Sequence, residues 1–477
     1  MNKNNTNINT NYDVRGLSGL NNIGNTCYMN AALQCLSASN LFVGFLIKKK
    51  FVSDIKKNII DDLTNKEREK KKKSKTNKYN DRDDKEDGED GEDGEDGEDG
   101  EDNNNNGNES DVSIYLRDVK DKYYNSMTYS SYKLFKNMWK TNTVITPRTF
   151  KTKLGKYCKT FRDYKQQDSQ DFIFFLLNKI HDEIKCNVSL RYTNIPQDII
   201  NYIKERKNIY KSIKDEQDPE IIQNKLIEFN KFTERFNKFE TIYKSLDFWD
   251  SYLKKNHSPI IDIFTGLYLN QIICTQCNKR SINFEPYLIL PLPIIDRESN
   301  LQDCLREFSK TEILDNDNKY NCSVCKEHTI AHKNIYLWDL PEHLIIQLKR
   351  FSNNGMVSIK NNNTIKFPFE NLTFRENYHE YRPRNYSYNL YGIIYHVGSL
   401  SSGHYYAFTK NPLNNKWYRF NDSTVQYIPD EIIEREIMNG GSYILFYKKN
   451  YNNSEKSPND EVVNSDEDLS SDVDDNL

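Results

Sequence analysis

The sequence predicts an α+β fold, and this prediction depends on where helical and strand periodicity occur along the chain. From about residue 27 to residue 249, apolar residues recur at helical spacing. After Ile260, apolar and polar residues alternate, as they do in strands with one buried face. Only 36% of the 477 residues are hydrophobic and 29% are charged, so part of the chain is not expected to pack into a core.

Three segments of the first half are predicted to be helical. Cys27–Leu36 carries its apolar side chains on one face. Phe172–Ile184 is apolar nearly all round, which is typical of a helix buried in a large core. Pro219–Phe248 has a charged amphipathic pattern and is predicted to be a peripheral insertion.

The second half contains five predicted strands, in which apolar side chains alternate with polar ones. They are Gly266–Ile273, Leu344–Phe351, Leu390–Tyr395, His404–Thr409 and Ser442–Tyr447. Helices followed by strands of this kind favour an antiparallel sheet next to a helical region.

Three segments lack the apolar residues that folding requires, and we predict that they are disordered. They are the Asn-rich residues 1–15, residues 66–110 and the acidic residues 450–477. Within 66–110, a Lys-rich run precedes a repeated Gly-Glu-Asp sequence. The simpler interpretation is a solvated insertion without a specific role. In the alternative, Lys70–Lys73 is a nuclear import signal, although one short basic run supports that only weakly.

The charge balance excludes two classes of partner. Lys and Arg total 67 and Asp and Glu total 70, so the net charge is only −3. This balance predicts neither a nucleic-acid binder nor a membrane-surface protein. The sequence contains no run of about 20 apolar residues, so no membrane span is expected. The first ten residues lack the apolar core of a signal peptide. We therefore expect a cytoplasmic or nuclear protein whose nine cysteines are reduced.

A Gly- and Asn-rich loop, residues 16–26, leads directly into Cys27 at the start of a predicted helix. A helix N-terminus stabilises a thiolate, so this position suits a nucleophile. Backbone N–H groups there can also face an oxyanion, and Asn22 can add a side-chain donor. Taken alone, however, a cysteine in this position is more often a small buried hydrophobic residue.

A second cluster far downstream supplies a base. His404 begins a predicted strand after Gly403, and Asn421 and Asp422 follow on the next strand. Cysteine, histidine and an amide or carboxylate provide the nucleophile, base and orienting group of acyl transfer. His396 lies eight residues before His404 and competes for the role of base.

The local sequences around these residues resemble those of ubiquitin-specific proteases. Residues 24–30, with Leu33 and Gln34, resemble the cysteine box of that family, and residues 403–405 with 420–422 resemble its histidine box. The resemblance extends over the ordered chain from about residue 16 to residue 449. It implies a papain-like fold with a thumb (about 16–260), fingers (about 267–340) and a palm (about 341–449).

The resemblance also implies how the site works. Cys27 is the nucleophile, His404 is the base, and Asn22 with the Cys27 N–H stabilises the oxyanion. Either Asn421 or Asp422 orients the imidazole; spacing from Phe420 favours Asn421, whereas Asp422 carries the charge that better stabilises an imidazolium. The implied substrate bond follows the last glycine of ubiquitin in proteins or chains, and no catalytic cofactor is needed. By the family pattern the base follows Gly403, which makes His396 a structural or cleft-rim residue.

A third cluster, Gln166–Phe172, precedes the predicted buried helix. From the residues alone, Asp168 is an N-cap and Asp171 complements the helix dipole. In the resembling family a similar motif grips the C-terminal tail of ubiquitin, which carries arginines. The resemblance therefore implies that Asp168, Asp171 and Gln170 contact the tail.

Two Cys-x-x-Cys pairs form the fourth cluster: Cys274 with Cys277 and, after 44 intervening residues, Cys322 with Cys325. In a reducing compartment this spacing predicts one structural zinc ion with four thiolate ligands. Four unrelated cysteines are the alternative, which the matching spacing disfavours.

Two rival functions remain at the level of the sequence. A catalytically inactive ubiquitin-binding module would keep the fold and lose the chemistry, but the candidate catalytic residues are all present. A zinc-finger scaffold would leave the cysteine and histidine boxes unexplained. The expected partners are ubiquitin and ubiquitinated proteins, with adaptor proteins as candidates for the disordered segments; the ubiquitin linkage and the oligomeric state cannot be read from the sequence.

Overall fold

The computed structural model describes residues 14–80, 111–189, 195–295, 298–353, 358–382, 385–399 and 402–451. Of the segments that were predicted to be disordered, residues 1–13, 81–110 and 452–477 lie outside these residues.

Thirteen helices occur in the described residues, and most of them precede the strands. They are α1 (Cys27–Ser37), α2 (Asn40–Ile47), α3 (Val52–Asn80), α4 (Asp111–Asn125), α5 (Met127–Lys140), α6 (Arg148–Tyr157), α7 (Ser169–Ile184), α8 (Gln197–Lys214), α9 (Pro219–Arg235), α10 (Asn237–Asn256), α11 (Pro259–Phe264), α12 (Leu301–Phe308) and α13 (Asp430–Ile437).

The seventeen described strands all lie in the second half of the chain. They are β1 (Gly266–Cys274), β2 (Arg280–Tyr287), β3 (Leu290–Leu292), β4 (Ser299–Asn300), β5 (Glu312–Leu314), β6 (Tyr320–Asn321), β7 (His328–Thr329), β8 (Ala331–Asp339), β9 (His343–Leu348), β10 (Phe351–Asn353), β11 (Ser358–Lys360), β12 (Ile365–Lys366), β13 (Ser387–Gly398), β14 (Gly403–Lys410), β15 (Trp417–Asn421), β16 (Thr424–Ile428) and β17 (Ser442–Asn450).

Two sheets dominate this second half. The larger has seven strands in the order β16-β15-β14-β13-β17-β9-β3 and is antiparallel except for the β3–β9 pair. The smaller has four antiparallel strands in the order β2-β1-β8-β5. A helical first half followed by mainly antiparallel sheets is the α+β fold that the sequence predicted.

Helix α1 is the central element of the main hydrophobic core. All of its residues are buried, and it packs against β13 and β14 of the large sheet and against α7. The other face of that sheet packs on α12 and α13 in a second core. Because α1 is enclosed on every side, the residue that begins it is held rigidly relative to the sheet.

A third, smaller core joins the four-stranded sheet to the helices of the insertion. Ile242 of α10 and Ile199 of α8 pack with Leu269, Phe284 and Trp338 of the sheet. The described residues thus comprise a helical part, a large sheet and a smaller, separate sheet whose strand β1 ends at Cys274.

Most predicted elements are confirmed, but the predicted strand Leu344–Phe351 ends at Leu348, and one predicted helix differs. The Pro219–Phe248 pattern is two helices, α9 and α10, because Phe236 leaves the helical conformation and packs against Tyr202 and Phe232. Helix α9 has no buried residue and is peripheral, as predicted. Helix α10 is not peripheral, because it contributes Ile242 to the core beneath the small sheet.

Helix α3 continues to Asn80, so it includes the first fifteen residues of the segment 66–110 that was predicted to be disordered. Lys, Glu and Arg are good helix formers, so a charged run can extend a helix that is already anchored. The anchor includes Asp62, whose carboxylate lies 3.0 Å from the Nζ of Lys66 and from that of Lys122 in α4.

Within the described residues no single helix is long and apolar enough to cross a membrane. Only α1 and α2 taken together meet that length and composition, and they are bent by 89° relative to each other.

Candidate active site and metal centre

Cys27 is the first residue of α1, and a tight loop places it there. Asn22 organises this loop, because its side-chain oxygen accepts hydrogen bonds from the N–H groups of Gly24 and Thr26, both at 3.1 Å. Gly24 has a φ of +113°, and a Cβ there would lie 2.8 Å from a ring carbon of Tyr164. Position 24 therefore requires a glycine, because the backbone has a positive φ and there is no room for a side chain. The loop places Cys27 at the N-terminal end of a buried helix, where the residue is only 3% exposed to solvent.

His404 is the second residue of β14 and lies beside Cys27, although 377 positions separate them in the sequence. Its Nε2 lies 2.6 Å from the side-chain oxygen of Asn421, which accepts the hydrogen bond. The other ring nitrogen is therefore left for Cys27. The pKa of His404 is raised to about 9, mainly by the neighbouring Cys27 side chain; burial opposes this, and Asn421 and the charge of Asp422 add to it. An imidazolium next to a thiolate is the arrangement that activates a cysteine nucleophile.

Asn421 and Asp422 have separate contacts, which resolves the ambiguity of the sequence. Asn421 ends β15, and Asp422 begins the turn to β16 with a left-handed φ of +49°. After this turn the Asp422 carboxylate is hydrogen-bonded to two side chains other than His404. Its two oxygens accept hydrogen bonds from the side-chain N–H groups of Asn22, at 3.1 Å, and Asn30, at 2.8 Å. The structure thus places Asn421 against His404 and Asp422 against the predicted oxyanion donor.

Gln166 is a site residue that sequence reasoning did not single out. Its side-chain oxygen accepts from the N–H of Gly403 at 3.0 Å, and its side-chain N–H donates to the Gly403 carbonyl at 2.7 Å. These two bonds join the segment before α7 to the start of β14, immediately before His404. Its partner is a backbone group 237 positions away, so no local sequence pattern could reveal the contact.

His396, the competing base, is buried behind the site. It is 1% exposed, and its ring packs against Tyr405 and Phe351. Burial lowers the pKa of His396 to about 4, with smaller contributions from Lys360 and His404. A Cβ at position 403 would lie 2.1 Å from its Nε2, so this imidazole fills the space that Gly403 leaves. The geometry favours the structural interpretation of His396.

The three predicted tail-binding residues lie at the start of α7. Asp168 is the N-cap, because it accepts a hydrogen bond from the Gln170 N–H at 2.7 Å. Its second oxygen accepts one from the Tyr443 hydroxyl at 2.7 Å, and burial raises the pKa of its carboxyl. Asp171 is exposed in the first helical turn, and partial burial raises its pKa. Gln170 is half-buried between these two carboxylates.

The four cysteines of the Cys-x-x-Cys pairs converge where the turn between β1 and β2 meets the turn between β6 and β7. Their sulfur atoms all lie within 4.8 Å of one another, with Cys274 and Cys325 3.9 Å apart and Cys277 and Cys322 3.6 Å apart. Four thiolates about 2.3 Å from a tetrahedral zinc ion are roughly 3.8 Å apart, so the donor set fits one metal ion.

The backbone around each pair has the same conformation. Asn278 follows the first pair and Lys326 the second, with left-handed φ angles of 56° and 60°. The N–H of Asn278 donates to the Cys274 carbonyl, and the N–H of Lys326 donates to the Cys322 carbonyl. Two matched turns facing each other suit a closed site that takes all four ligands from the protein.

Comparison with known proteins identifies the family. Residues 18–447 match the family model described as ubiquitin carboxyl-terminal hydrolase. The chain belongs to the ubiquitin carboxyl-terminal hydrolase family. It is 28% identical to a probable ubiquitin carboxyl-terminal hydrolase of Acanthamoeba polyphaga mimivirus, over 91% of this chain and 90% of the viral protein. It is 26% identical to ubiquitin carboxyl-terminal hydrolase 2 of Homo sapiens, over 91% of this chain but only 55% of the human protein.

Solved structures give the same fold for this hydrolase. The SAGA DUB module of Ubp8, Sgf11, Sus1 and Sgf73 bound to monoubiquitin contains a chain that superposes with a TM-score of 0.55 at 22% identity. The match covers 92% of this chain and 70% of the other. The same module bound to ubiquitin aldehyde gives a TM-score of 0.54. Family and fold are those of a cysteine-type deubiquitinating peptidase, as the sequence resemblance implied.

Proposed function

We propose that this chain hydrolyses peptide and isopeptide bonds that follow the C-terminal glycine of ubiquitin, and so releases ubiquitin from proteins or chains. The observation that carries the proposal is the meeting of Cys27 at a helix N-terminus with the His404–Asn421 pair. A ubiquitin-binding module without catalysis has no need of this arrangement. A metal-dependent scaffold has no need of it either.

In the proposed mechanism the thiolate of Cys27 attacks the carbonyl carbon of the last glycine. His404, as the imidazolium, then gives its proton to the leaving amine, and a thioester between Cys27 and ubiquitin remains. Neutral His404 next takes a proton from water, whose oxygen attacks the thioester and displaces the thiolate. Asn421 keeps the ring in one plane through both proton transfers, because its oxygen holds Nε2–H.

The oxyanion of each tetrahedral intermediate needs donors that are already in position. The N–H of Cys27 at the start of α1 supplies one. The side chain of Asn22 supplies the other: its oxygen is fixed by the loop, one of its two N–H groups donates to Asp422, and the second remains to donate. Asp422 is therefore assigned to positioning the oxyanion donor rather than to orienting the base.

The substrate tail is proposed to reach Cys27 past the start of α7. Asp171 is exposed there, and its carboxylate can pair with an arginine of the tail. Asp168 is already engaged by Tyr443 and the Gln170 N–H, which leaves its remaining lone pairs for backbone N–H groups of the tail. Gln170 lies between the two and is assigned the weakest contact.

The metal held by the four thiolates is proposed to be a single structural zinc ion, with no role in the chemistry. Thiolate ligands in a tetrahedral arrangement favour zinc. Four free thiolates also require a reducing compartment, which supports a cytoplasmic or nuclear location. Adaptor proteins are proposed partners for the segments outside the described residues.

A ubiquitin carrying an electrophile at its C-terminus tests the function directly. We expect the native chain to form a covalent adduct through Cys27, and the variant Cys27→Ala to form none while still binding ubiquitin. The variant Cys186→Ser, which changes a cysteine far from the site in sequence, is the control and should react like the native chain. Absence of an adduct in the native chain, or an adduct in Cys27→Ala, would contradict the proposal.

A further inference from the structure

A strongly basic segment lies next to the catalytic loop and has no part in the mechanism above. Residues 148–165, which include α6, contain seven Lys or Arg and a single Asp. The whole chain has a net charge of −3, so this concentration of positive charge is local. Charge of one sign that converges on a concave surface attracts ligands of the opposite sign.

Four of these cations line one cavity of about 330 Å³, together with Ile23 and Tyr164. They are Arg148, Lys151, Lys156 and Arg162. Arg148, Lys151 and Lys156 share one face of α6, and Arg162 comes from the loop that follows. No carboxylate of the described residues lines the cavity, and none of the four cations forms an ion pair with another described residue.

Lys151 is the most informative of the four, because it is only 4% exposed. Its Nζ donates to the backbone carbonyls of Phe161 and Asp163. An ammonium group has three donors, so one remains. Burial lowers the pKa of Lys151, which the nearby Asp163 only partly offsets. The Nζ of Lys151 also lies 5.7 Å from the centre of the Tyr164 ring, but it forms no ion pair with a described carboxylate. A buried cation of this kind is stabilised when an anion binds beside it.

Arg162 also keeps donors free. Only its Nε is engaged within the described residues, by the Gly155 carbonyl at 3.3 Å. The remaining guanidinium N–H groups form a planar fork, which suits two oxygens of one phosphate or carboxylate. Arg148 is exposed, lines the same cavity and brings a second fork.

We propose that this cavity is a binding site for a small anion carrying two or three linked phosphate groups. Its volume lies in the range of small-molecule sites, about 300 to 1,000 Å³, and is too small for a folded partner. Two guanidinium forks and two ammonium groups match several phosphates better than one, since a single phosphate would leave repelling cations unneutralised.

The site is connected to the catalytic loop by direct contacts. Ile23 lies between Asn22 and Gly24 of that loop. Tyr164 packs against Gly24, and its carbonyl accepts a hydrogen bond from the Asn25 side chain at 2.8 Å. An anion that holds Arg162 and Tyr164 in place therefore also restrains the loop that carries Cys27.

Titration calorimetry with tripolyphosphate on the full chain tests the proposal. At an ionic strength of about 150 mM, which screens loose surface attraction, we expect one site with a Kd below about 100 µM. The double variant Arg148→Gln/Arg162→Gln should weaken binding by about tenfold or more, because both forks are lost. Lys159→Gln removes a cation of the same basic segment from outside the cavity and should change the Kd by less than about twofold.

Several outcomes overturn the proposal. They are no binding to the native chain at about 1 mM tripolyphosphate, equal weakening in Lys159→Gln, and binding of a phosphorylated peptide when tripolyphosphate does not bind. If the double variant does not fold, Lys156→Gln alone should still weaken binding. The variant Cys27→Ala should bind tripolyphosphate as the native chain does, so this test is independent of the proposed peptidase activity.

Discussion

The side chain of Gln166 and the backbone of Gly403 form a closed pair of hydrogen bonds, at 2.7 and 3.0 Å. Gln166 stands just before α7 in the helical region, and Gly403 opens β14 in the large sheet. The pair fixes the sheet position of His404 relative to the helical region that carries Cys27. The Gln166 amide, which takes no part in the chemistry, therefore holds the Cys27 and His404 sides of the catalytic site in position relative to each other.

We expect Gln166→Ala to lower kcat for a ubiquitin C-terminal amide by about tenfold or more, because small misplacements of a base are costly. KM should change much less, since the tail-binding carboxylates are untouched. The matched control is Gln167→Ala, the adjacent half-buried glutamine. If both variants turn over like the native chain, Gln166 does not position the base.

The raised pKa of His404 predicts the alkaline limit of activity. Amide hydrolysis needs the imidazolium, so kcat should fall as pH rises through about 9. The hydrogen bond from His404 to Asn421 contributes to this elevation, and Asn421→Ala should therefore move the limit to lower pH. The same variant should lower kcat by about 10- to 1,000-fold, within the range of positioned acid–base groups. An unchanged limit in Asn421→Ala would refute its role in orienting the imidazole.

Asp422 and Asn22 should behave as one unit in a double-mutant cycle. Asn22→Ala is expected to lower kcat by about 100-fold or more, as the loss of an oxyanion donor does. Asp422→Ala removes the acceptor that holds one Asn22 side-chain N–H, and it should lower kcat by somewhat less than Asn22→Ala does. Because Asp422 acts through Asn22, the double variant should be little worse than Asn22→Ala. Additive effects would show that Asp422 works on another group, such as the imidazole itself.

Metal analysis of the native chain should find one zinc per molecule. We expect Cys322→Ser to lose the metal, lower the Tm and weaken ubiquitin binding, because the small sheet loses its cross-link. Cys158→Ser, a half-buried cysteine outside the cluster, should retain the zinc. A native chain without zinc would contradict the assignment. So would a Cys322→Ser variant that retains it.

Local sequence was sufficient for the elements whose signal is local. Helix α7, the strand that contains His404 and the paired Cys-x-x-Cys turns follow from periodicity and spacing, and the structure contains them. Helix α7 is buried on one face only, however, since Phe174 is 52% exposed. The same holds for the loop before Cys27, where Gly and Asn supply the left-handed backbone.

What the sequence left open depends on contacts between distant segments. The choice between Asn421 and Asp422 is made by the left-handed turn at Asp422, whose partner Asn22 lies 400 positions away. Helix α3 is joined to α4 by the ion pair of Asp62 with Lys122, which lies 60 positions away in the sequence. The division of α9 from α10 at Phe236 follows from an aromatic cluster with Tyr202, which no periodicity encodes.

The complete burial of α1 restricts how this enzyme can diversify. A helix whose every side chain touches the core cannot accept substitutions that tune the nucleophile without a loss of stability, about 2 to 5 kcal/mol for a large-to-small change. Variation in specificity is therefore confined to the surrounding rim: the loop before Cys27, the start of α7 and the β15–β16 turn. Selection or engineering for a new substrate should accumulate changes at these three places and leave α1 almost untouched.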